Sequence, residues 1–387
     1  MKLLHVISSV GKSAGGTAEI VPKICSVQQK AGIHVTLACR GIGSLSDTAV
    51  QAQKDGVTLR LFNGMSSWLN KISFSWDMMR NLGELVRDSD IVHLHGGWLF
   101  AVWWGAHCAR KYGKPYVIMP HGSLEPERLK ISKWEKRIVG WLFDRRVYRH
   151  ASAVWVTAES EGVGVRRYGV TCPIHVVPLG LDVERYERSV PSSELLSRLG
   201  VSVGKKVVLY FSRITKIKGL DLLAQAWSSV AKDFPDWQLV VAGPDDYHGY
   251  RAVAEELFGR LCPTDTYRFT GPVYGADKYS LLKSASVFVL PTRNENFSIA
   301  VQEALASGVP VVCTKGAPWQ VLETAKCGCW TDVSAEGIAS GLRHLMGCTG
   351  KQRTEMGTNG NSLIRSKFSW AAITADMVKN YEAVLCE

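Results

Sequence analysis

The sequence predicts an α/β protein built as two doubly wound, parallel-sheet domains, and three observations carry that prediction. Short apolar runs alternate with helix-period patterns along the whole chain, the signature of repeated βα units. At 387 residues the chain is long enough for two such domains, each with its own core. Charged and glycine-containing loops follow several of the apolar runs, which is where open α/β sheets bind their ligands.

In the first half the strand candidates are LLHVIS (3–8), HVTLACR (34–40), VTLRLF (57–62), DIVHLHG (90–96), PYVIMPHG (115–122), AVWVTA (153–158) and IHVVPLG (174–180). In the second half they are KVVLYFS (206–212), WQLVVAG (237–243), YRFTGP (267–272), SVFVLPT (286–292) and VPVVCT (309–314). Most are short apolar runs, as expected of strands buried in a parallel sheet. A boundary is expected between Pro178 and Pro191, where VVPLGLD gives way to a polar, charge-mixed stretch. A last helix is expected from about Trp370 to Leu385, and no internal repeat or low-complexity segment is present.

Composition narrows the classes. A chain with 46% hydrophobic and 21% charged residues is globular. Its ten cysteines contain no CxxC pair, and Cys327 and Cys329 lack further ligands at zinc spacing, so they read as reduced thiols of a cytoplasmic protein. The amino-terminal MKLLHVISSVGKSAGG has too short an apolar run for a signal peptide and reads as a first buried strand. The longest apolar stretch, Trp98 to Ala109, is interrupted by Gly105 and His107 and falls short of a membrane span.

The net charge of +11 is uneven: residues 1–187 carry 24 Lys+Arg against 16 Asp+Glu, whereas the rest carry 22 against 19. Much of the excess lies in 128–149, where Arg128, Lys130, Lys133, Lys136, Arg137, Arg145, Arg146 and Arg149 interleave with Trp134, Trp141 and Phe143. A basic helix with aromatic flanks suits an anionic membrane surface, and equally an ordinary solvated face. No nucleic-acid-binding signature accompanies the charge.

Two motifs carry the chemistry. Glu295-Asn296-Phe297-Ser298-Ile299-Ala300-Val301-Gln302-Glu303 straddles a strand-to-helix turn and sets two carboxylates eight positions apart. Arg213 and Lys218, in Phe211-Ser212-Arg213-Ile214-Thr215-Lys216-Ile217-Lys218-Gly219, follow another strand. Two cations, two carboxylates and a helix amino terminus at strand ends suit a sugar joined to a diphosphate. This pair of motifs resembles the retaining glycosyltransferases of family 4, which have the GT-B fold. Also similar are Gly15-Gly16 in the first βα loop, Pro178-Leu179-Gly180-Leu181-Asp182, Ala242-Gly243-Pro244 and Glu303-Ala304-Leu305-Ala306-Ser307-Gly308-Val309-Pro310. Pro120-His121-Gly122-Ser123-Leu124-Glu125-Pro126, and Ala317-Pro318-Trp319 with Cys327-Gly328-Cys329-Trp330, resemble the branch that builds bacterial lipopolysaccharide, O-antigen and exopolysaccharide.

The resemblance implies two Rossmann-like domains facing a central cleft. Residues 1–185 would form the acceptor side, completed by a C-terminal helix at about 370–387, and 186–369 would bind the nucleotide-sugar donor. It implies transfer of a hexose from a UDP- or GDP-sugar to a lipid-linked or polysaccharide acceptor, with an α-glycosidic bond. Arg213 and Lys218 would hold the diphosphate in place of a metal ion. Glu295 would meet the sugar and Glu303 the ribose. Main chain at Val273 would meet the base, and the N–H groups of Phe297 and Ser298, with Asn296 and Ile299 in the same turn, would complete the donor site. Gly15 and Gly16 would let backbone approach the donor or acceptor. His121 would lie over the sugar, His95 would approach the acceptor, and His93 would be structural. The family's usual Gly-Phe-Gly after the first glutamate is replaced by Asn296-Phe297-Ser298. Asp88-Ser89-Asp90 has the DxD form that metal-dependent glycosyltransferases use, but it precedes a strand, and Asp245-Asp246 reads as loop polarity, so neither a metal nor another cofactor is expected. The expected place of action is the inner face of the bacterial cytoplasmic membrane. A nucleotide-sugar epimerase and a non-catalytic nucleotide-sugar-binding scaffold are the alternatives.

Overall fold

The computed structural model describes residues 1–12, 16–41, 43–64, 72–124, 143–202, 204–245 and 249–386. The chain divides into two compact units, Met1–Pro178 with Ile373–Glu387, and Leu179–Ala372.

The first unit has seven strands: β1 (Lys2–Val6), β2 (His34–Gly41), β3 (Thr58–Asn63), β4 (Ile91–His95), β5 (Tyr116–Met119), β6 (Ala153–Val156) and β7 (Ile174–Val176). They form one parallel sheet in the order β3-β2-β1-β4-β5-β6-β7. Every residue of β4, β5 and β6 is buried, which is why these strands read as continuous rather than alternating apolar runs. The strand order reverses at β1, between β2 and β4, so a crevice opens at the carboxyl ends of β1 and β4. Ser75 caps the helix Trp76–Asp88 by accepting from the Met78 N–H at 3.1 Å, and Met78, Leu82 and Val86 form its buried stripe.

The second unit has β8 (Lys206–Phe211), β9 (Trp237–Ala242), β10 (Tyr267–Gly271), β11 (Val287–Leu290), β12 (Val311–Thr314) and β13 (Gly328–Thr331), all parallel, in the order β10-β9-β8-β11-β12-β13. Alternate residues of β8 feed two cores: Val207 and Leu209 pack with Phe288, Val301 and Leu305, while Val208 and Tyr210 pack with Leu223, Trp227 and Leu342. The reversal here lies between β8 and β11, and the loops leaving those two strands carry Lys218 and Glu295.

The two-sheet α/β class expected from sequence is the one observed. The strand it missed is β13, whose Gly-Cys-Trp-Thr has no apolar run to announce it. Gly328 explains the composition, because a Cβ there would stand 2.1 Å from the Val311 carbonyl oxygen of β12. Gly15, Asp246 and 128–142 of the basic segment lie outside the described residues. Of the remainder of that segment, Arg145–Arg149 is helical, with Val147 and Tyr148 buried and the three arginines exposed. Among the described residues no helix is long and apolar enough to cross a membrane.

Candidate functional site

In the second unit the loops after β8 and β11 are pressed together, and glycine makes this possible. Gly219 has φ +73°, and a Cβ on it would stand 2.0 Å from the Pro291 carbonyl oxygen, so no other residue fits without moving one loop. Backbone and side chains stitch the contact: the Arg293 N–H donates to the Ile217 carbonyl at 2.8 Å, and the Arg293 guanidinium holds Asp221 through two bonds of 2.7 and 2.6 Å. One consequence is an ion pair between the Lys218 ammonium and the Glu295 carboxylate, with both side chains largely shielded from water. Arg213 stays exposed on the same loop, and no ion pair to it is found among the described residues. Its backbone is fixed, since its carbonyl accepts from the Tyr210 hydroxyl at 2.8 Å and the next N–H, of Ile214, donates to Pro244 at 2.8 Å. Gly243 belongs to that brace: a Cβ there would stand 1.8 Å from the Ser212 carbonyl oxygen.

The turn after Glu295 is braced from the far side. The Glu295 N–H donates to the Gly316 carbonyl at 2.7 Å, the Trp319 indole donates to the Phe297 carbonyl at 2.5 Å, and the Trp330 indole donates to the Ala317 carbonyl at 2.8 Å. The APW and CGCW stretches therefore hold the turn in place. Ser298 sits at φ +73°, a conformation glycine takes freely and serine adopts at a cost of about 1 kcal/mol or more. No side chain caps the helix Ile299–Ala306 that follows, so its first turn keeps N–H groups for an anion.

Glu303 is buried within that helix and apart from the Lys218–Glu295 pair. It accepts from the Tyr186 hydroxyl at 2.8 Å and from the Lys278 ammonium at 2.5 Å. Val273 is buried just beyond the end of β10. Sequence reasoning missed Lys278 and Tyr186. Lys278 left a signal, since a lysine in the first turn of the helix Gly275–Ser284 opposes the helix dipole and needs a reason. Tyr186 left none.

In the first unit the predicted histidines belong to a larger buried group. His121 follows β5 at φ +51°, in a turn held by Glu161, whose carboxylate accepts from the Gly122 N–H at 2.6 Å and the Thr157 N–H at 2.7 Å. The loop after β4 packs on this turn: the Trp98 indole donates to the Ser123 carbonyl at 3.0 Å, and a Cβ on Gly97 would stand 2.7 Å from the Ser123 hydroxyl. His95 Nδ1 and His121 Nε2 are 3.0 Å apart, and His95 Nε2 lies 2.7 Å from His5 Nδ1. His93 stacks on His95 with ring centres 4.1 Å apart and bonds Tyr381 at 2.6 Å. Burial pushes the His5 and His121 pKa values down to about 4, and burial with neighbouring histidines holds His93 and His95 well below the ordinary range, so all four are neutral at pH 7.

Gly16 begins the helix Gly16–Lys30, exposed and with open space where a Cβ would stand; the chain itself does not require a glycine there. Asp88 and Asp90 lie at the amino-terminal edge of β4, away from His95, and Asp90 accepts from the Lys2 N–H at 2.7 Å. Asp245 accepts from the Arg251 N–H at 3.3 Å.

Comparison with known proteins fits this architecture unit by unit. Residues 193–363 match the family model for glycosyl transferases group 1, and residues 14–185 match the model for Glycosyltransferase Family 4. A D-inositol 3-phosphate glycosyltransferase of Corynebacterium jeikeium is 25% identical, over 95% of this chain and 92% of its own. An alpha-maltose-1-phosphate synthase of Mycolicibacterium smegmatis is 29% identical, over 92% and 95%. Among solved structures, Anabaena HepE in complex with UDP superposes with a TM-score of 0.78 at 20% identity, covering 99% of this chain and 100% of that one; HepE has also been solved with UDP-glucose. Residues 14–185 and 193–363 together span both units, and the chain therefore belongs to the glycosyltransferases of the group 1 and family 4 type, with the GT-B fold.

Proposed function

We propose that this chain is a retaining, metal-independent glycosyltransferase that moves a hexosyl group from a UDP- or GDP-sugar to a lipid-linked or polysaccharide acceptor, forming an α-glycosidic bond. The observation that carries the reading is the shielded Lys218–Glu295 pair at the topological reversal of the second sheet, beside exposed Arg213 and an uncapped helix amino terminus. When the bond from the anomeric carbon to the β-phosphate oxygen breaks, negative charge collects on the phosphate and positive charge on the sugar. Arg213 and Lys218 are assigned to the phosphate, Glu295 to the transferred sugar, Glu303 to the ribose and His121 to a sugar hydroxyl. Cations already fixed on the chain can meet this charge without a metal ion. Acceptors of the lipopolysaccharide, O-antigen or exopolysaccharide kind are proposed because the PHGSLEP and APW…CGCW stretches resemble that branch. Residues 128–149 are assigned to the anionic leaflet that would present such an acceptor.

The test is transfer to a lipid-linked glycan carried in anionic liposomes, with UDP- and GDP-hexoses compared in excess EDTA. Transfer should persist under chelation, give an α-linked product, and fall roughly 100-fold or more in Lys218→Ala and Arg213→Ala, the scale for losing one transition-state anion donor. Full activity in either variant removes the phosphate assignment. Abolition by EDTA with rescue by Mn²⁺ removes metal independence. Donor conversion without an acceptor would make the protein an epimerase.

A further inference from the structure

A line of side chains runs through the first unit from Gln28 to His121, and its hydrogen bonds have a direction. The Gln28 amide nitrogen lies 3.4 Å from the Met377 sulfur and 3.3 Å from the Tyr381 oxygen. A thioether can only accept, so the NH₂ faces Met377 and the amide oxygen faces His5 Nε2, 2.7 Å away. That oxygen can only accept as well, which places the proton of neutral His5 on Nε2 and leaves Nδ1 bare. Bare Nδ1 must accept, so His95 carries its proton on Nε2, 2.7 Å away. His95 Nδ1 is then bare in turn and accepts from Nε2 of His121 at 3.0 Å. His121 Nδ1 is left without a proton, and no hydrogen bond from it is found among the described residues.

We propose that Gln28 sets the tautomers of His5, His95 and His121 in series, so that the half-buried His121 offers Nδ1 as a hydrogen-bond acceptor to a substrate hydroxyl. The contact with substrate rests on the function proposed above; the relay itself does not. Reversing the series would require the Gln28 oxygen to turn toward the Met377 sulfur, setting two acceptors against each other. Tyr381 belongs to a side branch: its oxygen accepts from Gln28, and its O–H donates to His93 Nδ1 at 2.6 Å. Gln28 is thus a positioning residue, acting on the sugar through three imidazoles.

The experiment reads the ring nitrogens directly. In ¹⁵N-labelled wild-type protein at pH 7.0, long-range ¹H–¹⁵N NMR should show His5, His95 and His121 protonated on Nε2. Gln28→Met keeps the length and loses the amide acceptor, so His121 should become a mixture of tautomers. Its kcat should fall about tenfold, the loss of one hydrogen bond, with KM for the donor unchanged. Tyr381→Phe should alter His93 and leave the His121 tautomer as it was. His121 protonated on Nδ1 in the wild type would overturn the relay whether or not any variant folds, and so would an unchanged tautomer in folded Gln28→Met. One ring nitrogen from each of His5, His93 and His95 lies within 4.8 Å of the other two, and a metal ion retained on them through purification would also overturn it. Correct tautomers in a protein that transfers no sugar would leave the relay standing and refute the proposed function.

Discussion

Glu295 and Glu303 are eight positions apart in sequence, yet each meets a different cation, Lys218 for the first and Lys278 for the second. Removing either carboxylate therefore has two effects, loss of a ligand contact and release of a shielded ammonium. Glu295→Gln frees Lys218, so affinity for the bare nucleotide diphosphate should hold or rise while turnover of the full donor falls. Glu303→Gln leaves Lys278 beside a neutral amide and removes an acceptor assigned to the ribose. Nucleotide-diphosphate affinity should then weaken by about 1.5 to 3 kcal/mol, the value of a charge-assisted hydrogen bond. Titration calorimetry with the free nucleotide and steady-state kinetics with the donor separate the two. Loss of nucleotide binding in Glu295→Gln with normal binding in Glu303→Gln would reverse the assignments.

At the scale of elements, the site depends on loops that touch through glycine. Gly219→Ala would place a Cβ 2.0 Å from the Pro291 carbonyl oxygen at φ +73°, so the loop must shift and carry Lys218 away from Glu295. A loss of about 1 to 3 kcal/mol in denaturant unfolding and a fall in turnover are expected together. Gly16→Ala is the contrast, because open space surrounds that position; its stability should be unchanged, and any loss of activity would report crowding of a substrate. Wild-type stability in Gly219→Ala would show that the two loops are not held as described. The strands that position these loops were legible because they are continuous apolar runs, and Lys218 and Glu295 were legible because each follows such a run. β13 was not, since Gly328 serves close approach rather than burial of a side chain. Nor was the histidine line legible, because its direction depends on Gln28 and Met377, 349 positions apart in sequence.

For the molecule as a whole, the two units should respond differently to acid. The first holds His5, His93 and His95 buried and neutral, with His121 depressed beside them. A histidine with a lowered folded pKa stabilises the native state fully above its unfolded value of about 6.5, and that contribution is lost as pH falls toward the folded value, here about 4 for His5 and His121. Within that window each fully buried histidine removes up to about 1.4 kcal/mol per pH unit. Asp144, pushed up to about 6 by burial, works the other way and offsets about one such share. The second unit has no buried histidine among its described residues. Burial tends to raise the Asp221 pKa, but hydrogen bonds and charge from Arg293 hold it below the usual carboxylate value, so its contribution persists until more acidic pH. Hydrogen exchange between pH 7 and 4, corrected for intrinsic rates, should therefore show β1 and β4 losing protection before β8 and β11. Simultaneous loss, or earlier loss in the second unit, would mean that the buried histidines do not govern the acid response.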